Sequence, residues 1–403
     1  MPDTVLLQYD HRRIILAGGL ALATAMGIGR FAFTPLLPMM LHDGTISLAG
    51  ASWLASANYI GYLAGALFCM FKPLPNPTVM IRTGLVSTLV FTLGMAAPWA
   101  AAWPLLRFAA GVASALVFVY TSGWCLSQAA WRGHTSLGAL IYTGPGAGIV
   151  LTGLAASAMV AADWRASMGW LSFGLLALVL TMLVWPVFHE RNTMSTAKAA
   201  HTVHPSAATD HSALEVALLS LAYGIAGFGY IVTATFLPVI ARQTLPGSAW
   251  LDLFWPILGC GVIIGALFAS RMRQVRDLRL MLLACYLIQA AGVALSLAIP
   301  SLLGFAMGSL LVGLPFTAIT YFGMQEARRI RPHHVASTIG LLTALYGLGQ
   351  ILGPPMASYL LKRAATPAAG FDLALEIAAG SLLLGAALFG VLVREYPVSA
   401  LAR

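Results

Sequence analysis

Long runs of apolar residues, separated by short polar segments, follow one another along the whole chain. Twelve of these runs are about 20 residues or longer, the length that a helix needs to cross the hydrocarbon of a bilayer. The backbone must satisfy its own hydrogen bonds in lipid, so the runs predict helices. They lie at about 14–40, 48–71, 78–97, 103–127, 136–161, 166–188, 213–240, 250–270, 278–299, 301–323, 335–361 and 371–394.

The composition agrees with a membrane protein. Hydrophobic residues make up 59% of the chain and charged residues 9%, whereas soluble proteins carry about 25% charged residues. Such a chain cannot cover a water-facing surface, which excludes a soluble enzyme and a secreted domain, and its apolar content excludes a disordered chain. We predict an all-α integral membrane protein with twelve transmembrane helices, whose main partner is the lipid bilayer.

The cysteines and histidines give no sign of a metal or redox site. The four cysteines lie in or at the edges of apolar runs without a CxxC pair, which favours small buried side chains. His201-x-x-His204, followed by His211, lies in a polar segment and favours a solvated loop over a metal site. We predict neither a metal nor a cofactor.

Positive charges are distributed unevenly between the two sides of the predicted membrane protein. With the N-terminus inside, 16 of the 22 Lys and Arg residues fall on the inner side and four on the outer side. This positive-inside bias predicts that both termini are cytoplasmic, in a multi-pass protein of the bacterial inner membrane. The net charge of +9 is spread over the inner loops and forms no single basic face, which excludes nucleic acid as a partner.

A segment of polar and small residues at 189–212 divides the chain into two comparable parts. Its composition is typical of a flexible linker, so we predict one six-helix bundle at 1–188 and another at 213–403. Residues 27–40, GIGRFAFTPLLPMM, align at an offset of 200 with residues 227–240, GFGYIVTATFLPVI. A second match at this offset pairs GYLAGALF with GVIIGALF. The two matches indicate an internal repeat.

Two six-helix repeats in the same orientation, joined by a long inner linker, resemble the major facilitator superfamily. The GIGRF-xxxx-LLP run of the first span and GLGQILGP at 347–354 also resemble the YbfB/YjiJ-type branch of that superfamily. The resemblance implies a transporter that is not an enzyme, functions as a monomer and binds a small-molecule substrate between its halves.

The motifs of the superfamily are present only in part. Cys69 and Ala269 stand where an Asp forms the usual cytoplasmic latch, so that latch cannot form here. Arg107-xxx-Gly111 is similar to a motif of the fourth span, which implies a role for Arg107 in coupling. The alternative is that Arg107 lies near a span end and extends to the lipid headgroups.

Two glycine–proline pairs and one acid complete the coupling and gating candidates. Gly144-Pro145 partly matches an antiporter motif of the fifth span, and Gly353-Pro354 lies in the eleventh span. Small residues also allow close helix packing, which explains both pairs without antiport. Glu326 lies near a span end and is a candidate for proton titration.

Arg30 is the sharpest single feature of the sequence. It lies near the middle of the first span, where an arginine costs at least ~2.5–3.5 kcal/mol, and the chain offers no acid at mid-membrane depth. A buried guanidinium favours an anion such as a substrate carboxylate or phosphate. The alternative is a structural arginine bonded to helix carbonyls. Helical spacing places Gly27, Arg30 and Thr34 on one face.

Other polar and amphipathic side chains lie at similar depth, Tyr62 among them. Each one alone favours a helix–helix hydrogen bond, but together they predict a central binding site at the midplane. The predicted substrate-binding residues are Arg30, Thr34, Asn58, Tyr59, Tyr142, Tyr230, Tyr346 and Gln350.

The function that follows is secondary active transport of small organic solutes by alternating access. The resemblance implies coupling to protons, and Gly144-Pro145 favours efflux by antiport, whereas Arg30 favours uptake of an organic anion by symport. No Walker A sequence is present, which argues against ATP as the energy source. A membrane sensor or scaffold that transports nothing, and a polytopic membrane enzyme, are the alternatives from other classes.

Overall fold

The computed structural model describes residues 11–71, 76–131, 139–188 and 212–398, apart from 246, 249, 273–275 and 333. The predicted linker therefore lies outside the described residues, except for Ser212, and so do its three histidines.

Twelve long helical segments make up the described residues, joined by short turns and single-turn 3₁₀ helices. They are α1 (His11–His42), α2 (Leu48–Phe71), α3 (Pro77–Gly94), α4 (Trp103–Trp131), α5 (Thr143–Ala161), α6 (Ala166–Val184), α7 (Ala213–Thr244), α8 (Phe254–Arg271), α9 (Leu278–Ala298), α10 (Leu302–Ile330), α11 (Val335–Arg363) and α12 (Pro367–Glu395).

Eleven of these segments are long and apolar enough to cross a membrane, counted over the described part of the chain. The other, α11, is equally long, but Gly, Ser, Thr and two prolines dilute its apolar residues. With twelve crossings, both ends of the described chain lie on one side of the bundle, here called the termini side. The turn between α1 and α2 lies on the opposite side, here called the far side.

Several helices begin at a capping side chain. Thr366 precedes α12 and accepts a hydrogen bond from the amide of Ala369, while Pro367 occupies the first turn. Asp277 caps α9 in the same way, through the amide of Arg279. These side chains satisfy amides that have no partner inside the helix.

The glycines shared by the two repeats make equivalent helix contacts in each half. A Cβ built on Gly61 would lie 1.9 Å from the carbonyl oxygen of Phe108 in α4. A Cβ on Gly261, the counterpart of Gly61 at the offset of 200, would lie 2.6 Å from the carbonyl oxygen of Leu310 in α10. Only glycine allows backbones to approach this closely, so α2 packs on α4 as α8 packs on α10.

The two halves meet along three helix pairs: α2 with α11, α5 with α8, and the far-side part of α1 with α7. Every residue from Ala23 to Met40 is buried, and so is every residue from Gly229 to Ala241. They contain most of the two stretches that the sequence repeat aligns, 27–40 and 227–240. Because both are covered along their length, the protein is closed on the far side.

Candidate functional site

Arg30 lies in a stretch of π-helix, Ala23–Phe31, that interrupts α1. Pro35 follows one turn later and supplies no amide hydrogen to that turn. π-Helical turns inside α-helices are rare and occur frequently at functional sites. Arg30 is 3% exposed, so its guanidinium is inside the protein and does not contact lipid headgroups.

The guanidinium of Arg30 forms a bridge to the second half of the chain. Its Nη2 atom donates a hydrogen bond of 2.7 Å to Oε1 of Gln350 in α11. The amide nitrogen of Gln350 in turn donates to the hydroxyl of Tyr230 in α7. All three side chains are buried, so α1, α7 and α11 are joined at the centre of the molecule.

Aromatic rings surround the guanidinium of Arg30 on its other sides. Its Cζ atom lies 4.0 Å from the ring centroid of Tyr62 and 5.2 Å from that of Tyr59, within the range of cation–π attraction. Tyr230 stacks on a further tyrosine with centroids 5.9 Å apart and meets a phenylalanine edge-on at 5.0 Å. The central site therefore consists of Arg30, Tyr59, Tyr62, Tyr230, Phe316, Tyr346 and Gln350.

The charge of Arg30 has no carboxylate partner among the described residues. None of their ion pairs includes Arg30, and its Nε atom is buried without a hydrogen-bond acceptor. A neutral amide and ring faces leave a buried positive charge incompletely compensated. The site is therefore suited to an anion.

Arg107, in the same region, binds backbone carbonyls of α1. Its Nη1 and Nη2 atoms donate to the carbonyl oxygens of Gly29 and Arg30, at 3.2 and 3.1 Å. Asn58 donates to the carbonyl oxygen of Arg107 at 2.9 Å. Arg107 is 2% exposed, so the alternative that it extends to headgroups is wrong. It holds the irregular turn of α1 that carries Arg30.

A second set of contacts joins the halves between the central site and the far side. The hydroxyl of Thr34 donates to the carbonyl oxygen of Ala234 at 2.8 Å. The hydroxyls of Tyr59 and Thr235 lie 3.0 Å apart in a hydrogen bond. These bonds link the first half to α7 and form what we call the far-side gate.

Helical spacing misplaced one residue of the predicted face. Gly27 packs against α5, where a Cβ would lie 2.4 Å from the Cα atom of Gly148, while Arg30 is directed to α11. The prediction that Gly27, Arg30 and Thr34 share a face is wrong because the π-helix changes the number of residues per turn.

Tyr142 and the two glycine–proline pairs lie outside the central site. Tyr142 contacts the ring of Phe118, which contacts Tyr62, so it is one ring removed from the site. A Cβ on Gly144 would lie 2.1 Å from the carbonyl oxygen of Gly19.

Gly353 meets Ile231, 2.1 Å from where its Cβ would be. The proline that follows each of these two glycines, Pro145 and Pro354, is buried in its own helix. Both glycine–proline pairs therefore lie at close helix contacts, which need no bound solute.

Glu326 belongs to a separate buried ionic cluster on the termini side. Arg329 donates to both carboxylate oxygens of Glu326, at 2.7 and 2.9 Å. Arg279 is 1% exposed, and its nitrogens lie 3.5 Å from Glu215 and 3.6 Å from Glu326. Asp277 completes the cluster with two hydrogen bonds of 3.0 Å from Arg279.

This cluster ties four helices of the second half together. Arg279 also donates to the carbonyl oxygens of Leu392 and Tyr396 at the end of α12, at 3.0 and 2.6 Å. Burial alone would raise the pKa of Asp277, but the hydrogen bonds and charge of Arg279 outweigh it and lower that pKa below its ordinary value.

Sequence reasoning missed three residues of the centre. Phe31 and Phe316 face each other edge-on at 5.8 Å, and phenylalanines in apolar runs carry no signal of their own. Thr235 directly follows Ala234, the counterpart of Thr34 in the repeat. This position was the one signal in the sequence that could have placed Thr235 near the centre.

The comparisons with known proteins agree with this architecture. A family model described as "Uncharacterised MFS-type transporter YbfB" matches residues 22–390. No curated protein matches the chain. A crystal structure of a point mutant of nucleoside transporter NupG superposes with a TM-score of 0.67 at 16% identity, covering 94% of this chain and 99% of that one.

A further crystal structure of nucleoside transporter NupG gives a TM-score of 0.64 at 14% identity, covering 95% of this chain and 99% of that one. At such low identity the likeness shows the fold alone. The predicted fold class, twelve helices in two six-helix repeats, is confirmed.

Proposed function

We propose that the central site binds a small organic anion, which the protein carries across the membrane. The chain belongs to the family of MFS-type transporters described as YbfB. Membership of the family makes the chain a multi-pass secondary transporter, in contact with lipid and with a small-molecule substrate, and not an enzyme. The substrate class is the part that we propose.

The observation that carries this proposal is the uncompensated charge of Arg30. Its guanidinium is buried at the meeting point of the halves, its Nε–H has no acceptor, and its partner Gln350 is neutral. Arginine stays protonated, so neutralisation has to come from a bound anion. The nucleosides named for NupG are neutral and are not carried over to this site.

Alternating access supplies the transport step. The far-side gate and the bridge between Arg30 and Gln350 both join the halves, so a state open to the far side has to break both. A solute that binds one state better than the other shifts the equilibrium between them.

Direction and coupling stay predictions. Proton coupling, operation as a monomer, and cytoplasmic termini in the bacterial inner membrane are part of the proposal, supported by the family and by the positive-inside charge bias. The close packing of Gly144 against Gly19 weakens the antiport argument, and Arg30 supports anion uptake.

Counterflow in proteoliposomes tests the proposal. Vesicles loaded with an unlabelled carboxylate should accumulate the same labelled carboxylate, and Arg30→Gln should abolish this exchange while the protein still inserts. A pH gradient, inside against outside, should change the rate if protons are coupled. Absence of exchange with every carboxylate would favour a sensor or scaffold, and unchanged exchange in Arg30→Gln would refute the site.

A further inference from the structure

The amide of Gln350 contacts the guanidinium of Arg30 at a position where a ligand could bind. Oε1 of Gln350 accepts from Nη2 of Arg30 at 2.7 Å, and the neighbouring Nε–H has no acceptor. Nη2 and Nε form one edge of the guanidinium, the edge that binds a carboxylate through two parallel hydrogen bonds. The amide oxygen of Gln350 engages Nη2, one of the two donor atoms of that edge.

We infer that Gln350 is a placeholder for the substrate: a monocarboxylate binds side-on to the Nε–Nη2 edge of Arg30, displaces the Gln350 amide, and thereby breaks the bridge between the two halves. This inference rests on the proposed function and adds to it the ligand class and the link between binding and gating.

The negative charge of a carboxylate favours displacement of the neutral Gln350 amide from Arg30. A hydrogen bond between ionised partners is roughly twice as strong as a neutral one, and a carboxylate would satisfy the Nε–H that the amide leaves without an acceptor. Arg107 adds a second positive charge nearby. Its Nη1 and Nη2 donate to the carbonyls of Gly29 and Arg30, and its Nε is buried without an acceptor. Arg107 therefore offers one donor atom, whereas Arg30 offers a two-atom edge, and the carboxylate is assigned to Arg30.

Three hydroxyls around the guanidinium already have partners. The hydroxyl of Tyr59 is bonded to Thr235, that of Thr34 to the backbone, and that of Tyr230 to Gln350. Elsewhere the guanidinium faces aromatic rings. A solute rich in hydroxyls would have to compete with these three bonds, whereas an apolar, ring-bearing body on the carboxylate would pack on the aromatic rings and is favoured.

The inference also explains how binding would act on the gate. Gln350 joins Arg30 of the first half to Tyr230 of the second. When a carboxylate takes the guanidinium edge, this connection between α1 and α11 is lost. The bound anion therefore favours separation of the halves on the far side, where Thr34 and Tyr59 make the remaining bonds.

The test uses the full-length protein in detergent with benzoate, benzamide and gluconate as probes, and thermal unfolding and tryptophan fluorescence as measurements. Benzoate should stabilise the wild type, whereas neutral benzamide and polyhydroxylated gluconate should do so at least about tenfold more weakly. Gln350→Glu places a tethered carboxylate on Arg30 and should weaken benzoate binding at least about tenfold, while raising the unfolding temperature.

Two variants complete the experiment. Gln350→Ala removes the competitor and should bind benzoate at least as tightly as the wild type. Gln243→Glu, which adds the same charge at an exposed position beyond the site, should bind like the wild type. If Gln350→Glu does not fold, Gln350→Ala carries the test.

The outcomes separate the two proposals. Benzoate binding that is lost in Arg30→Gln but unchanged in Gln350→Glu, or lost in Gln350→Ala, would overturn the placeholder role and leave the anion site standing. Benzoate that binds the wild type no better than benzamide would overturn the inference of a ring-bearing monocarboxylate, and the counterflow experiment with other carboxylates would then decide the anion site. Binding unaffected by Arg30→Gln would overturn both.

Discussion

Thr34 donates a hydrogen bond of 2.8 Å to the carbonyl oxygen of Ala234, which is its own counterpart at an offset of 200 residues. The two positions meet because α1 and α7 are equivalent helices that face each other across the boundary between the halves. The bond belongs to the closed far side. It has to break whenever a solute passes through that side.

Loss of the bond between Tyr59 and Thr235 should open the far-side gate. Tyr59→Phe removes a hydrogen bond between the halves, which contributes about 0.5–1.5 kcal/mol, so the far-side-open population should rise. Spin labels on Ser47→Cys and Gln243→Cys, with Cys260 replaced by serine, measure the distance across that side.

Thr244→Val is the matched control, since the hydroxyl of Thr244 bonds only within its own helix. An unchanged distance distribution in Tyr59→Phe would show that this bond is no part of the gate.

Replacement of Arg107 should destabilise the fold more than it changes substrate preference. Arg107→Gln leaves the carbonyls of Gly29 and Arg30 without their donors, at a cost of about 1–3 kcal/mol. Arg107→Lys should recover only part of this, because one ammonium does not reproduce the planar fork.

The free energy of unfolding in detergent measures the effect, with exposed Arg165→Gln as the control. Full stability in Arg107→Gln, together with lost pH dependence of transport, would assign Arg107 to proton coupling instead.

A methyl group at a close helix contact should be costly, and one at an open position should not. Gly265→Ala would place a Cβ 1.8 Å from the carbonyl oxygen of Leu314 and should destabilise by about 1–3 kcal/mol. Gly380→Ala meets nothing within 4 Å and should stabilise by about 0.5–1 kcal/mol. Comparable unfolding midpoints in the two variants would contradict the packing described for α8 and α10.

Stability should fall in acid partly through Asp277. Its pKa is lower in the folded protein than in the unfolded chain, so its contribution is present above the unfolded pKa of about 3.9 and is lost as the pH falls through the lower folded value. Asp277→Asn should therefore be less stable than the wild type at neutral pH, and the difference should shrink below about pH 4. A difference independent of pH would refute this.

The membrane helices and their repetition could be predicted because both follow from composition and spacing, which are read directly from the sequence. It also identified Arg30, Tyr230, Tyr346 and Gln350, since polar groups at mid-depth are few and must meet one another in lipid. Gln350 lies 320 residues from Arg30, yet depth alone was enough to select both.

The remainder depended on three-dimensional relations that spacing does not encode. A π-helix inside α1 rotated Gly27 away from Arg30, and no residue type marks such a turn. The interaction of Arg107 with backbone carbonyls leaves no complementary side chain to find. Glu215 and Arg279 lie on different helices, and their mutual burial arises only when α7 and α9 pack.

The hydrogen bonds from Arg279 to the end of α12 have a consequence for folding during synthesis. Its acceptors, the carbonyls of Leu392 and Tyr396, leave the ribosome 113 and 117 residues later. Until then the guanidinium of Arg279, the second residue of α9, lacks two of the acceptors that it has in the folded protein. We expect nascent chains that stop before Leu392 to be degraded by membrane quality control, even though eleven of their twelve helices are complete.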